Sequence, residues 1–221
     1  MMLHKFLTIL FLSVPILGLA QNPERFVAEY RVFDNQDSIN SETDHYLAVD
    51  NLFVGSSSIR FWLSLSEDYP EADILNRGFG GSHMSDLWLK REELIYRYTP
   101  KRIFIYEGDN DIADGEEPAA IILEAQELIE DIFRHLPESD IYFISPKPSV
   151  ARWSYAPQYI DLNNRMSQLA MSHEQVHFID VWTPMLEEDG KVMTDIFIHD
   201  DLHMNDKGYD IWRQVIAPYV K

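Results

Sequence analysis

The chain has 221 residues, 37 acidic against 18 basic side chains, a formal charge of −19 and no cysteine. So large an acidic excess argues against nucleic acid and anionic membrane surfaces as partners, because both are polyanions. Without cysteine the chain carries no lipoprotein signal, and it can be exported without needing disulfides.

The first element is a leader. Lys5 precedes an apolar run from Phe6 to Leu19, Pro15 interrupts the run, and Gly18-Leu19-Ala20 ends it. This pattern predicts a signal peptide cut after Ala20. The run is shorter than the roughly 20 residues a spanning helix needs. Cleavage would leave residues 21–221, a single domain of 201 residues with 17 basic and 37 acidic side chains. The expected location is periplasmic or secreted, with no membrane span after cleavage. Residues 21–50 are polar, but Phe26, Tyr30 and Phe33 fall at helical spacing, which predicts one peripheral helix packed over a sheet edge. Tyr46 lies in the irregular approach that follows.

From Asp50 the pattern alternates. Short apolar runs at Leu52–Val54, Ile74–Leu75, Ile103–Tyr106, Ile141–Ile144 and Val176–Ile179 predict strands. Stretches of helical period at Met84–Tyr98, Pro118–Leu136, Tyr155–Met171 and Asp206–Tyr219 predict helices. Short apolar strands separated by helices imply a parallel sheet covered on both faces. Ligands of such sheets bind beyond the carboxyl ends of the strands, so the residues after each strand are the ones to weigh.

After the first strand comes Gly55-Ser56-Ser57-Ser58. It is either a plain polar turn or a turn that lifts a serine toward the N–H groups opening a helix. After the second come Asn76, Arg77, Gly78, Phe79, Gly80, Gly81 and Ser82, with three glycines in four positions. That is an ordinary glycine-rich turn, a phosphate nest, or a set of exposed N–H donors. The dinucleotide fingerprint is absent here and a Walker lysine is absent throughout, which removes nucleotides from consideration. After the third strand comes Glu107-Gly108-Asp109-Asn110-Asp111. Asn110 offers a neutral donor for an oxygen that gains charge, or forms a turn. After the fourth, Ser145-Pro146-Lys147-Pro148-Ser149 and then Arg152-Trp153 make a stiff loop, either a cleft wall or a connection.

Near the C-terminus, His199, Asp200, Asp201 and His203 are clustered. An Asp-x-x-His pair within one turn can set a carboxylate against its own imidazole, so that His203 serves as base for a serine. A helix-capping His203 and a metal set drawn from the four are the rival readings. Mixed nitrogen and oxygen clusters of this kind also occur without a metal.

Taken in order, these blocks resemble the SGNH hydrolase, or GDSL-esterase, family over Leu52 to the C-terminus. Gly55-Ser56-Ser57 matches the first block, Asn76 to Ser82 the second, Gly108-Asp109-Asn110-Asp111 the third and Asp200-Asp201-Leu202-His203 the fourth. The resemblance implies a flavodoxin-like three-layer α/β/α fold with strand order 2-1-3-4-5. It implies Ser57 as nucleophile, His203 as base and Asp200 as its orienting acid. The N–H groups of Ser57 and Gly81 and the side chain of Asn110 would form the oxyanion hole. It further implies ester hydrolysis through an acyl-enzyme, with no metal or other cofactor and a small-molecule or carbohydrate ester as substrate. A short acyl group, such as acetyl on a carbohydrate, is the favoured choice. The chain departs from the family at Ser56 and Ser82, where acids are usual. A binding module that kept the fold without the chemistry is the alternative, with Trp62, Trp153 and Tyr155 as candidates to line a sugar cleft. Nothing in the sequence sets an oligomeric state.

Overall fold

The computed structural model describes residues 25–41 and 48–221. The expected leader and cleavage site, and Tyr46, lie outside the described residues. Helix α1 (Val27–Ser41) precedes β1 (Asn51–Gly55), the short helices α2 (Ser57–Arg60) and α3 (Leu65–Asp68), and β2 (Ile74–Gly78). Then come α4 (Met84–Leu94), β3 (Arg102–Tyr106), α5 (Asp109–Ala113), α6 (Pro118–His135), β4 (Asp140–Ile144), α7 (Ala156–Met171), β5 (Val176–Ile179) and α8 (Asp206–Ile216). The five strands form one all-parallel sheet in the order β2-β1-β3-β4-β5, as the resemblance implies.

Alternation along the strands divides the core in two. Leu52, Val54, Ile103, Ile105, Ile141 and Phe143 face a layer that includes α4, α6 and α7. Phe53, Phe104, Tyr106, Tyr142 and Ile144 face the layer of α2, α3 and α8. Because Phe53 pairs with Phe104 and Phe104 with Tyr142, their rings stack at 4.3 and 4.8 Å. Trp62 and Trp212 close this second core, both essentially sealed from solvent. Trp62 therefore belongs to the packing and, at 1% exposure, offers no ring face to a sugar, which corrects one sugar-platform expectation. Its indole N–H is bonded to Asp68 within the fold. Of the other two candidates, Trp153 stacks on Trp182 and Tyr155 is partly exposed.

Several boundaries differ from the sequence reading, and two have a clear physical reason. Strand β2 runs on through Asn76 and Arg77 to Gly78. Arg77 can sit buried in a strand because Asp37 of α1 pairs with its guanidinium at 2.5 Å and the Tyr98 hydroxyl accepts from its Nε at 2.8 Å. The helix expected over Met84–Tyr98 ends at Leu94, with a 3-10 turn at Tyr96–Tyr98. Tyr98 donates to Asp37 and Tyr96 to Asp131, and Thr99, at a φ of +38°, ends the turn before Pro100. Helix α1 covers the β2 side, with Phe26 edge-on to Phe79 at 5.0 Å. No described helix is long and apolar enough to cross a membrane.

Candidate active site

The sheet's carboxyl edge is shaped first by Gly55. Its φ of +124° lies where L side chains are strained, and a Cβ there would stand 2.1 Å from the Tyr106 carbonyl oxygen. Glycine thus permits β1 to turn sharply against β3. The Ser56 N–H donates to Tyr106 O at 3.0 Å, and α2 begins at Ser57. N–H groups in the first turn of a helix have no partner within the helix.

Asp200 and His203 reach Ser57 from the loop before α8. That loop folds on itself: Phe197 bridges Met204, and the Ile198 N–H donates to His203 O at 2.9 Å. Asp201 takes a left-handed φ of +57° at the tip. Asn205 ends the loop and caps α8 by accepting from the N–H groups of Lys207 and Gly208. Within this frame His203 Nδ1 lies 2.6 Å from Asp200 Oδ2, and His203 Nε2 lies 2.9 Å from Ser57 Oγ. Burial pushes the Asp200 carboxyl up, but hydrogen bonds from His203 and from the backbone N–H of Leu202 and His203 outweigh it. The carboxyl is held well below its ordinary range. An ionised Asp200 puts the neutral imidazole's proton on Nδ1 and leaves Nε2 to accept from the Ser57 hydroxyl. Phe61, one turn after Ser57, stands edge-on to the His203 ring at 5.0 Å.

Asn110 lies in the first turn of α5, after Gly108 with its φ of +100°. Its Nδ2 donates to Ser56 Oγ at 2.7 Å and to the Ser82 carbonyl at 2.9 Å. The side chain thus joins the turns that follow β1 and β2. Gly81, next to Ser82, takes a φ of +81°, and its carbonyl accepts from Arg25 Nη2 at 2.5 Å. The Ser82 hydroxyl, where the family usually has an acid, donates to Glu107 Oε1 at 2.6 Å. Burial and the neighbouring Asp111 raise the Glu107 carboxyl well above its usual value.

The structure therefore brings Ser57, His203 and Asp200 into one hydrogen-bonded series and sets Asn110 against the serine turn. It brings no such order to the rival metal set, in which Asp200 is already bonded to an imidazole and two backbone N–H groups. Among the described residues, the carboxylates close enough to share a cation are Asp111, Glu116 and Glu124. Sequence reasoning missed the charged floor of the site. Asp109, Lys147 and Arg152 meet there, with Lys147 Nζ 3.5 Å and Arg152 Nη1 2.5 Å from the Asp109 carboxylate. A lysine between two prolines gives no sign that it will be buried, and here it is 1% exposed. Burial raises the Asp109 carboxyl, but Lys147 and Arg152 prevail and bring it down to about 2.

The family model for GDSL-like lipase/acylhydrolases matches residues 49–211. A search of the curated proteins returns no match. Among solved structures, a GDSL-like lipase from Bacteroides thetaiotaomicron superposes with a TM-score of 0.71 at 17% identity, covering 87% of this chain and 97% of that one. A Streptococcus pneumonia protein named for platelet activating factor gives 0.76 at 19% identity, covering 89% and 94%. An acetyl xylan esterase gives 0.67 at 17% identity, covering 78% and 100%. These likenesses are of fold.

Proposed function

The chain belongs to the GDSL-like lipase/acylhydrolase family of carboxylic ester hydrolases, and from that premise we propose that it is an exported serine esterase acting through an acyl-enzyme. The observation that carries the reading is the series Ser57 Oγ, His203 Nε2, His203 Nδ1 and Asp200 Oδ2, with steps of 2.9 and 2.6 Å. His203 takes the Ser57 proton as Oγ attacks the ester carbonyl, and Asp200 stabilises the imidazolium. The same proton passes to the leaving alcohol. Water, deprotonated by His203, then releases the acid and restores Ser57.

The oxyanion is received by the N–H groups of Ser57 and Gly81 and by Asn110 Nδ2. The Asn110 N–H now resting on Ser56 Oγ is the one that turns to the substrate oxygen, while the bond to Ser82 holds the amide in place.

The alcohol leaves on the His203 side. There a groove of about 750 Å³ runs from Phe61 past Leu63 and Ile198 to Tyr209. Phe61, Leu63 and Ile198 are exposed. Its charged lining is mostly acidic, Asp68, Asp206 and Asp210 against Lys207, which disfavours an anionic leaving group. A neutral alcohol with an apolar face fits, and a sugar ring is the natural case. An acetyl or other short acyl group on a carbohydrate is the substrate class proposed, in keeping with an acetyl xylan esterase of the same fold.

Hydrolysis of p-nitrophenyl acetate by residues 21–221, beside Ser57→Ala and with and without chelator, tests this. Activity that survives chelator and vanishes with Ser57 is expected, and activity should fall along a series from acetyl to decanoyl. A folded protein that hydrolyses no ester and is unlabelled by a serine-directed phosphonate would point instead to a binding module.

A further inference from the structure

The charges beneath Asn110 take no part in the proton transfers described above, yet one of them touches the donor side chain. Arg152 Nη2 donates to Asn110 Oδ1 at 3.0 Å, while Nη1 donates to Asp109 Oδ1 at 2.5 Å and to the Asp109 carbonyl at 3.1 Å. Asp109 is in turn fixed from other sides. The Tyr159 hydroxyl donates to its carbonyl and Oδ1, the Tyr106 hydroxyl donates to Oδ2 at 2.8 Å, and Lys147 Nζ stands 3.5 Å from Oδ2. The guanidinium is thus gripped by a buried carboxylate and pointed at the amide oxygen, with 19% of its side chain exposed.

We propose that Arg152 is a positioning residue for the oxyanion hole, acting through Asn110. A guanidinium at Oδ1 does two things. It excludes the flipped amide, in which an N–H₂ group would face a cation. It also draws electron density toward Oδ1, making Nδ2 a stronger donor, as bonds in series polarise one another at low dielectric. Both effects act where negative charge grows in the transition state, so they bear on kcat more than on KM. A lysine could not replace it, because a single ammonium cannot span Asp109 and Asn110 together.

The inference rests on Asn110 being an oxyanion donor, and a double-mutant cycle on p-nitrophenyl acetate separates the two ideas. Arg152→Ala is expected to lower kcat tenfold or more with KM within about twofold. In an Asn110→Ala background the same change should cost less than twofold, because the residue through which it acts is gone. Guanidinium chloride at low millimolar concentration should partly restore kcat in Arg152→Ala and have no effect in the double variant. If Arg152→Ala does not fold, Arg152→Lys, which keeps a cation beside Asp109, takes its place in the cycle. Equal fold-losses in both backgrounds, or an unchanged kcat in a folded Arg152 variant, would overturn the proposal. An unchanged kcat in Asn110→Ala alone would instead remove the oxyanion assignment on which it rests.

Discussion

Replacing Asn110 with alanine probes the site most directly. The side chain makes three hydrogen bonds: to Ser56 Oγ at 2.7 Å, to Ser82 O at 2.9 Å and from Arg152 Nη2 at 3.0 Å. Two consequences follow and they differ in size. As an oxyanion donor, its loss should raise the barrier by about 2.7–4 kcal/mol, a fall in kcat of about 100- to 1,000-fold. As a tie between three turns, its loss removes bonds worth roughly 0.5–1.5 kcal/mol each, about 2–3 kcal/mol in total for a half-buried group. For a domain of this size each kcal/mol shifts Tm by roughly 2–4 °C, so melting should fall by about 4–12 °C. Initial rates on p-nitrophenyl acetate at 25 °C, beside thermal melts followed by circular dichroism, separate the two effects. A folded Asn110→Ala protein whose kcat stays within threefold of the parent would refute the reasoning, whatever its Tm.

Four further outcomes are expected. Asp200→Asn should leave the fold intact and cut kcat by about 100-fold or more, because an amide no longer fixes the Nδ1–H tautomer; single-turnover acylation rates measure this, and a change below threefold would detach Asp200 from His203. Thermal stability should be greatest near pH 4 and decline from there to about pH 7. Burial pushes Asp111 up to about 6 and Glu124 up to about 7, so the stability they contribute is complete below their ordinary values and lost as pH rises through the folded ones. Asp109 works the other way: its contribution is lost only as pH falls from about 4 toward its folded value of about 2, and a Tm that stays flat or rises from pH 5 to 8 would contradict this account. Asp37→Ala should cost about 3–5 kcal/mol in urea melts, since it strands the buried Arg77 guanidinium, and a loss below 1 kcal/mol would mean that water reaches Arg77. Leu63→Ser should weaken kcat/KM about fivefold for 2-naphthyl acetate and leave vinyl acetate unchanged, from about 1 kcal/mol of apolar contact, and equal effects on both esters would place the leaving group elsewhere.

Much of this was legible in the chain. Strand identities follow from short apolar runs, and the two-sided core follows from alternation within them, because a strand's side chains point to opposite faces in turn. The residues of the proposed site stand out only when taken together: a serine after Gly55, an asparagine after Gly108 and an Asp-x-x-His turn before the last helix, each of which alone reads as an ordinary turn. Those patterns are local, and local chemistry is what a sequence displays. What the sequence could not display were contacts between distant segments. Arg77 looked like a loop residue until Asp37, 40 positions away, gave a buried strand position a counter-charge. Trp62 looked like a possible sugar platform until Phe53, Tyr69, Tyr209 and Trp212 surrounded it. Lys147 and Arg152 looked like parts of a stiff loop until Asp109 drew both cations beneath the site. The reason is the same in each case. The cost of burying a charge is set by whether a partner arrives with it, and only the tertiary structure decides which partners arrive.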